Sequence, residues 1–173
     1  MTARKTLLTL AAVSAAGLFA AEAFAAAGGG PTPRIETPRP SPSPSNKKQQ
    51  ARETDFQKAE YLIKGDKCEE AIPLLKNVVA DNGRDADAWN YLGFCSRKLG
   101  NKEEALGYYQ RALAVDPKHK GANEYLGELY LMMGDLAKAE QQLAILKGLC
   151  PNGCEELEDL EADIADYKAN RPA

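Results

Sequence analysis

The chain repeats itself with a period of thirty-four, and that period leaves few folds open. Counting Ala86 as position 1, Trp89, Leu92, Gly93, Gly100, Ala105, Tyr109, Ala112 and Pro117 stand at positions 4, 7, 8, 15, 20, 24, 27 and 32. One period onward, Leu126, Gly127, Tyr130, Gly134, Ala139, Leu143 and Pro151 stand at positions 7, 8, 11, 15, 20, 24 and 32. One period back lies a weaker unit with Ala59, Leu62, Ala71, Leu75 and Val78 in register, where Asp55 replaces the tryptophan, Gly83 replaces the proline and Gly65 comes one place early. A supersecondary unit of this length cannot bury its apolar face alone, so successive units must stack.

Within each unit, apolar residues three and four apart predict two helices of about twelve residues joined by a tight turn. Small residues at Gly93 and Ala105, and again at Gly127 and Ala139, predict that the two helices of a unit approach closely there. Asn101 with Glu104, and Asp66 with Glu69, have the spacing of a capping box. Asp116-Pro117 ends a helix, because proline disfavours helical geometry in the residue before it. Pro73 falls inside a second helix, where it removes the bond to the Glu69 carbonyl and predicts a kink.

The pattern Trp89, Leu92, Gly93, Ala105, Tyr109, Ala112, Pro117 resembles that of the tetratricopeptide repeat (TPR) family, with Ser96 standing where an aromatic is usual. The resemblance implies an all-α fold: a right-handed α-solenoid of about three helix pairs plus a C-terminal capping helix. On that reading the helical domain runs over 51–170, with units at 52–85, 86–119 and 120–153 and a cap at 154–169. It further implies a concave face, built from the first helix of each unit, that holds a peptide or helix of another protein. Family geometry puts positions 2, 5, 9, 12 and 13 there: Glu53, Phe56, Glu60, Ile63 and Lys64, then Asp87, Asn90, Phe94, Arg97 and Lys98, then Gly121, Glu124, Glu128, Leu131 and Met132. Phe56, Ile63, Asn90, Phe94, Arg97, Lys98, Glu124, Glu128, Leu131 and Met132 are the groove candidates. Core packing between units competes with ligand contact for Phe94 and Leu131. Only Asn90 matches the basic clamp of the chaperone-tail-binding members, so that activity is not expected.

The cap carries Leu157, Leu160, Ile164 and Tyr167 at helical spacing, with Glu155, Glu156, Glu158, Asp159, Glu161, Asp163 and Asp166 as its solvated side. An acidic docking face for a basic partner is the lesser reading of that cluster. Cys150-Pro-Asn-Gly-Cys154 forms a turn, and Cys68 and Cys95 lie on neighbouring antiparallel helices, so Cys68–Cys95 and Cys150–Cys154 are the preferred pairings. On the chain-entropy model they close loops worth about 3.6 and about 2 kcal/mol. His119 is expected in a loop between units.

At the N-terminus, Arg4 and Lys5 precede an apolar run from Leu7 to Ala21 that ends among alanines, which reads as a cleavable signal peptide over 1–27 cut after Ala23 or Ala27. Residues 28–50 hold six of the ten prolines and read as an extended, disordered Pro/Ser-rich tether. A periplasmic or secreted protein follows, with no stable membrane insertion once the signal is removed. Twenty-two Lys and Arg against 25 Asp and Glu leave a formal charge of −3, too little positive field for a nucleic-acid partner. A single histidine, with no Ser-His-Asp set and no phosphate-cradling glycine loop, points away from catalysis and from cofactors or metals. The expected function is a non-enzymatic scaffold of the bacterial cell envelope whose partner is another envelope protein. The alternatives are a self-assembling structural repeat protein and a thiol-redox or metal-handling accessory acting through Cys150 and Cys154.

Overall fold

A computed structural model describes residues 43–170, so the expected signal peptide and the expected tether up to residue 42 lie outside the described residues. Seven helices follow in order: α1 Pro44–Lys64, α2 Cys68–Asp81, α3 Ala86–Lys98, α4 Lys102–Val115, α5 Lys120–Met132, α6 Leu136–Leu149 and α7 Glu155–Ala169, with no strand among the described residues. They form three helix pairs and a seventh helix, the all-α solenoid expected from the period. Within a unit α1 packs on α2, α3 on α4 and α5 on α6; between units α3 also meets α5, and α5 meets α7. Helices α3, α5 and α7 therefore share one face of the stack.

Helix α1 starts seven residues before the expected domain boundary, inside the stretch read as tether. Pro44 at the start of the first turn suits the proline ring, whose missing N–H would be unsatisfied there anyway. Lys47 to Arg52 are good helix formers, and Lys48 Nζ ties this turn to Asp81 of α2 at 3.2 Å. Helix α2 continues through the exposed Pro73, from Cys68 to Asp81.

Neither expected capping box forms. Asn101 occupies the N-cap of α4 without a side-chain bond, and the reciprocal half is missing too: the Asn101 N–H donates to the Ser96 carbonyl at 2.8 Å, while the Glu104 carboxylate accepts from Ser96 Oγ at 3.3 Å and Tyr108 OH at 2.9 Å and faces Lys76. Lys67, not Asp66, is the N-cap of α2. The caps that do form are Asp85 on the Ala88 N–H, His119 Nδ1 on the Ala122 N–H and Asp135 on the Lys138 N–H, each at 3.1 Å.

Asp66 has the task that glycine has elsewhere. At position 15 the chain turns between helices with positive φ, 83° at Gly100 and 84° at Gly134, and Asp66 makes the corresponding turn of the first unit with φ 57°. An L side chain in this region costs about 1–2 kcal/mol, less for Asp. Gly100→Ala is expected to lose about 1 kcal/mol in urea unfolding although nothing lies within 4 Å of the added Cβ. Asp66→Gly should change stability in the opposite direction by about 0.5 kcal/mol.

Three apolar clusters run along the stack. Ala59, Ala71, Leu75, Val78 and Leu92 fill the first with Cys68 and Cys95; Ala105, Tyr109, Leu126 and Leu129 the second; and Ala139, Leu146, Leu157, Leu160 and Ile164 the third. Gly93 opens space for the Tyr109 ring of its own unit, as the sequence predicts. Gly127 differs: a Cβ there would meet the buried Leu160 of α7 at 2.6 Å, so its smallness serves contact with the next helix along and not with α6.

Candidate functional site

The face shared by α3, α5 and α7 holds two cavities. One, of about 520 Å³, lies toward the C-terminal ends and is lined by Arg97, Glu128, Leu131, Met132, Asp163, Asp166, Tyr167 and Asn170. The other, of about 280 Å³, lies at the N-terminal ends and is lined by Asp87, Asn90, Tyr91, His119, Gly121, Glu124, Tyr125, Glu155, Glu156 and Asp159.

A polar cluster separates them. Arg97 of α3 pairs with Glu128 of α5 and donates through Nε to Tyr109 OH at 3.4 Å. Its guanidinium lies 5.6 Å from the Phe94 ring centroid and 5.4 Å from that of Tyr125, and those two rings are 5.3 Å apart. Glu124, one turn before Glu128, is only 7% exposed. Burial, then the nearby charges of Glu128, Asp159 and Glu156, pushes its carboxyl up to about 8 against the opposing pull of Arg97. Burial likewise raises Glu128 and Asp163, with Arg97 opposing in both cases.

Glu124 makes stability depend on pH. A carboxyl whose folded pKa is raised holds a proton that the unfolded chain has already released, so its contribution is complete at low pH and is lost as pH rises from about 4.5 through about 8. Urea unfolding between pH 5 and pH 8 should show stability falling by up to about 1.4 kcal/mol per pH unit from this group, and Glu124→Gln should flatten that slope.

The ten groove candidates divide. Asn90 and Glu124 line the smaller cavity, and Arg97, Glu128, Leu131 and Met132 the larger. Phe94 lies beneath the Arg97 guanidinium. Leu131 is 9% exposed and belongs to the third apolar cluster, whereas Met132 is 44% exposed. Phe56 and Ile63 pack on the first cluster, Phe56 with its ring 5.8 Å from Tyr91, and neither reaches the two cavities. Lys98 is exposed and turned to Asp66 at 3.1 Å.

Tyr91, Tyr125, His119 and the acidic side of α7 also belong to this face, although the family positions do not include them. The signal for them is the period itself: the step from Asp87 to Gly121 repeats from Gly121 to Glu155, and the step from Tyr91 to Tyr125 repeats to Asp159. Continued through the cap, the period makes α7 a fourth first helix. Glu155, Glu156, Asp159, Asp163 and Asp166 thus line the cavities and are not simply a solvated side. His119 is the N-cap of α5 and ties that helix to α3, with Nδ1 accepting from Ala122 and Nε2 therefore donating to Asp87 at 3.0 Å.

The family model described as tetratricopeptide repeat matches residues 86–119, the span of the second unit, and a second model of the same description matches 108–141. The chain is a tetratricopeptide repeat protein. It is 26% identical over 115 residues to tetratricopeptide repeat protein 1 of Schizosaccharomyces pombe, covering 60% of this chain and 11% of that protein, so it spans about a tenth of that relative's length. Among solved structures it is similar to the Yersinia enterocolitica type III secretion chaperone SycD in complex with a peptide of the translocator YopD, at TM-score 0.61 and 22% identity over 69% of this chain and 94% of that one. It is also similar to the second TPR domain of human RPAP3 in complex with the HSP70 peptide SGPTIEEVD, at TM-score 0.62 and 19% identity over 70% of this chain and 98% of that one.

None of the four cysteines lines either cavity. The structure pairs Cys68 with Cys95 across α2 and α3, Cα atoms 4.9 Å apart, and Cys150 with Cys154 around the loop before α7, Cα atoms 5.8 Å apart. Cys150, Cys154 and Glu156 bring their ligand atoms within 4.8 Å of one another. Joined to each other, those sulfurs offer a cation no thiolate.

Proposed function

We propose that this TPR domain is a non-catalytic adaptor that holds a short segment of another protein along α3, α5 and α7. The observation behind this reading is the pair of cavities that open on one face and draw their walls from the same three helices. Solved TPR structures of similar fold hold peptides, as in the complexes with the YopD and HSP70 peptides. Two units and α7 contribute the walls, so the bound segment is short.

The adaptor works in the bacterial cell envelope, delivered by the N-terminal signal peptide and carrying both cysteine pairs as disulfides. The basic start, apolar run and alanine-rich end of residues 1–27 support export, and four cysteines in two pairs suit an oxidising compartment. N-terminal sequencing of protein recovered from the envelope should begin at Phe24 if cleavage follows Ala23, and at Gly28 if it follows Ala27. A chain that still begins at Met1 would contradict removal of the signal.

A photo-crosslinking residue placed at Met132, in the groove, and separately at the exposed Gln110 of α4 tests the adaptor reading. Capture of one discrete envelope protein from Met132 and not from Gln110 is expected. Capture from Gln110 alone moves binding off the groove, and capture of the chain itself favours self-assembly.

A further inference from the structure

We propose that the smaller cavity is a cation pocket that receives an arginine side chain of the bound segment. This deepens the adaptor reading and rests on it, because it assigns the chemistry of the partner and not merely its place.

The charge of the walls points to a cation. Five carboxyl groups line this cavity, the buried Glu124, which holds its proton to about pH 8, and four others, Asp87, Glu155, Glu156 and Asp159, and no Lys or Arg lines it. The N-terminal ends of α3, α5 and α7 supply a compensating positive end of roughly half a charge each, which leaves most of that negative charge unanswered. Asp87 is partly engaged by His119, and the charges of Glu156 and Asp159 add to the cost of ionising the buried Glu124 between them. A group with several N–H donors and a full positive charge relieves these carboxylates together.

An unpaired acceptor points the same way, independently of the acids. Asn90 is 5% exposed and lines the cavity, and its Oδ1 has no hydrogen-bond partner. A buried acceptor left unpaired is costly, and native structures satisfy most such atoms. A donor entering the cavity would satisfy it. Arginine presents five N–H groups in a planar fork and stacks on aromatic rings, and Tyr91 and Tyr125 line the same space. At about 280 Å³ the cavity falls just under the usual range for whole small-molecule sites, which suits one long side chain.

The test uses the oxidised protein, isotope-labelled, and three blocked peptides: Ala-Arg-Ala, the same peptide with citrulline in place of arginine, and SGPTIEEVD. Citrulline keeps the shape and removes the charge. The arginine peptide should shift the Asn90 side-chain amide and the Tyr91 and Tyr125 ring signals saturably, with citrulline at least tenfold weaker and SGPTIEEVD without effect at these groups. Asp159→Asn with Glu156→Gln, both at accessible carboxylates, should weaken arginine binding at least fivefold while the remaining spectrum stays that of the folded protein. Equal binding of citrulline, shifts centred elsewhere, or binding of SGPTIEEVD at Asn90 overturns the proposal. Failure here with specific capture through Met132 would leave the adaptor reading standing and the arginine assignment wrong; arginine binding without any partner captured in the groove would do the reverse.

Discussion

Gly93→Ala lowers stability by about 2–3 kcal/mol, although alanine is the better helix former. A Cβ at Gly93 would stand 2.5 Å from a ring carbon of Tyr109, and that side chain is fully buried. Overpacking of this kind forces the ring or the α3–α4 backbone to move. The control is Gly107→Ala in the middle of α4, where the added Cβ meets nothing within 4 Å; removing glycine from a helix interior there should gain about 0.5–1 kcal/mol. Opposite signs for the two substitutions in urea unfolding, with unchanged denaturant slopes, are the expected result. Equal effects would mean that helix propensity alone decides both. Tyr109 OH also accepts from Arg97, so a displaced ring should disturb the polar cluster between the two cavities as well as the core.

Separating Cys68 from Cys95 costs about 3–4 kcal/mol on the chain-entropy model, a large part of the roughly 5–15 kcal/mol that holds a domain together. Both residues are buried in the first cluster, and the link joins α2 of the degenerate first unit to α3 of the well-formed second. Cys68→Ala with Cys95→Ala, compared with the oxidised protein, should lower the urea midpoint accordingly and loosen α1 and α2 first. The pair Cys150–Cys154 closes a much shorter loop, and its removal should cost about 2 kcal/mol or less. A first unit that stays as protected from hydrogen exchange without its link would show that packing alone holds it.

The period made the helix pairs legible because each unit repeats one packing problem, and residues such as Leu92 and Leu126 solve it at the same place. Caps were harder to read. Their groups have several partners within reach: the Asn101 N–H donates to the Ser96 carbonyl, and the Glu104 carboxylate accepts from Ser96 and Tyr108. The start of α1 was hidden by composition: a proline-rich run ends with a proline that happens to suit a first helical turn. Gly127 points within its own unit when the sequence is taken alone, whereas the atoms that need its space belong to Leu160, beyond that unit on α7.

The groove was half legible for a related reason. Family positions pointed to Asn90, Arg97, Glu124 and Glu128, which the fold places on the shared face. They also pointed to Phe56, Ile63 and Lys98, which belong to the N-terminal unit or its edge and lie apart from both cavities. The acidic residues of α7 looked like a solubility device because a terminal helix needs a polar side. Only its contact with α5 turns that side toward the cavities.

A partner segment lying along α3, α5 and α7 is what the proposed function requires above all. Its most direct test is the nuclear magnetic resonance spectrum of the isotope-labelled protein on addition of the segment captured through Met132. Shifts concentrated at Asn90, Phe94, Gly121, Glu128 and Met132 are the predicted result. Shifts concentrated on the exposed residues of α4 and α6, such as Gln110 and Lys147, with the groove residues unmoved, would contradict it.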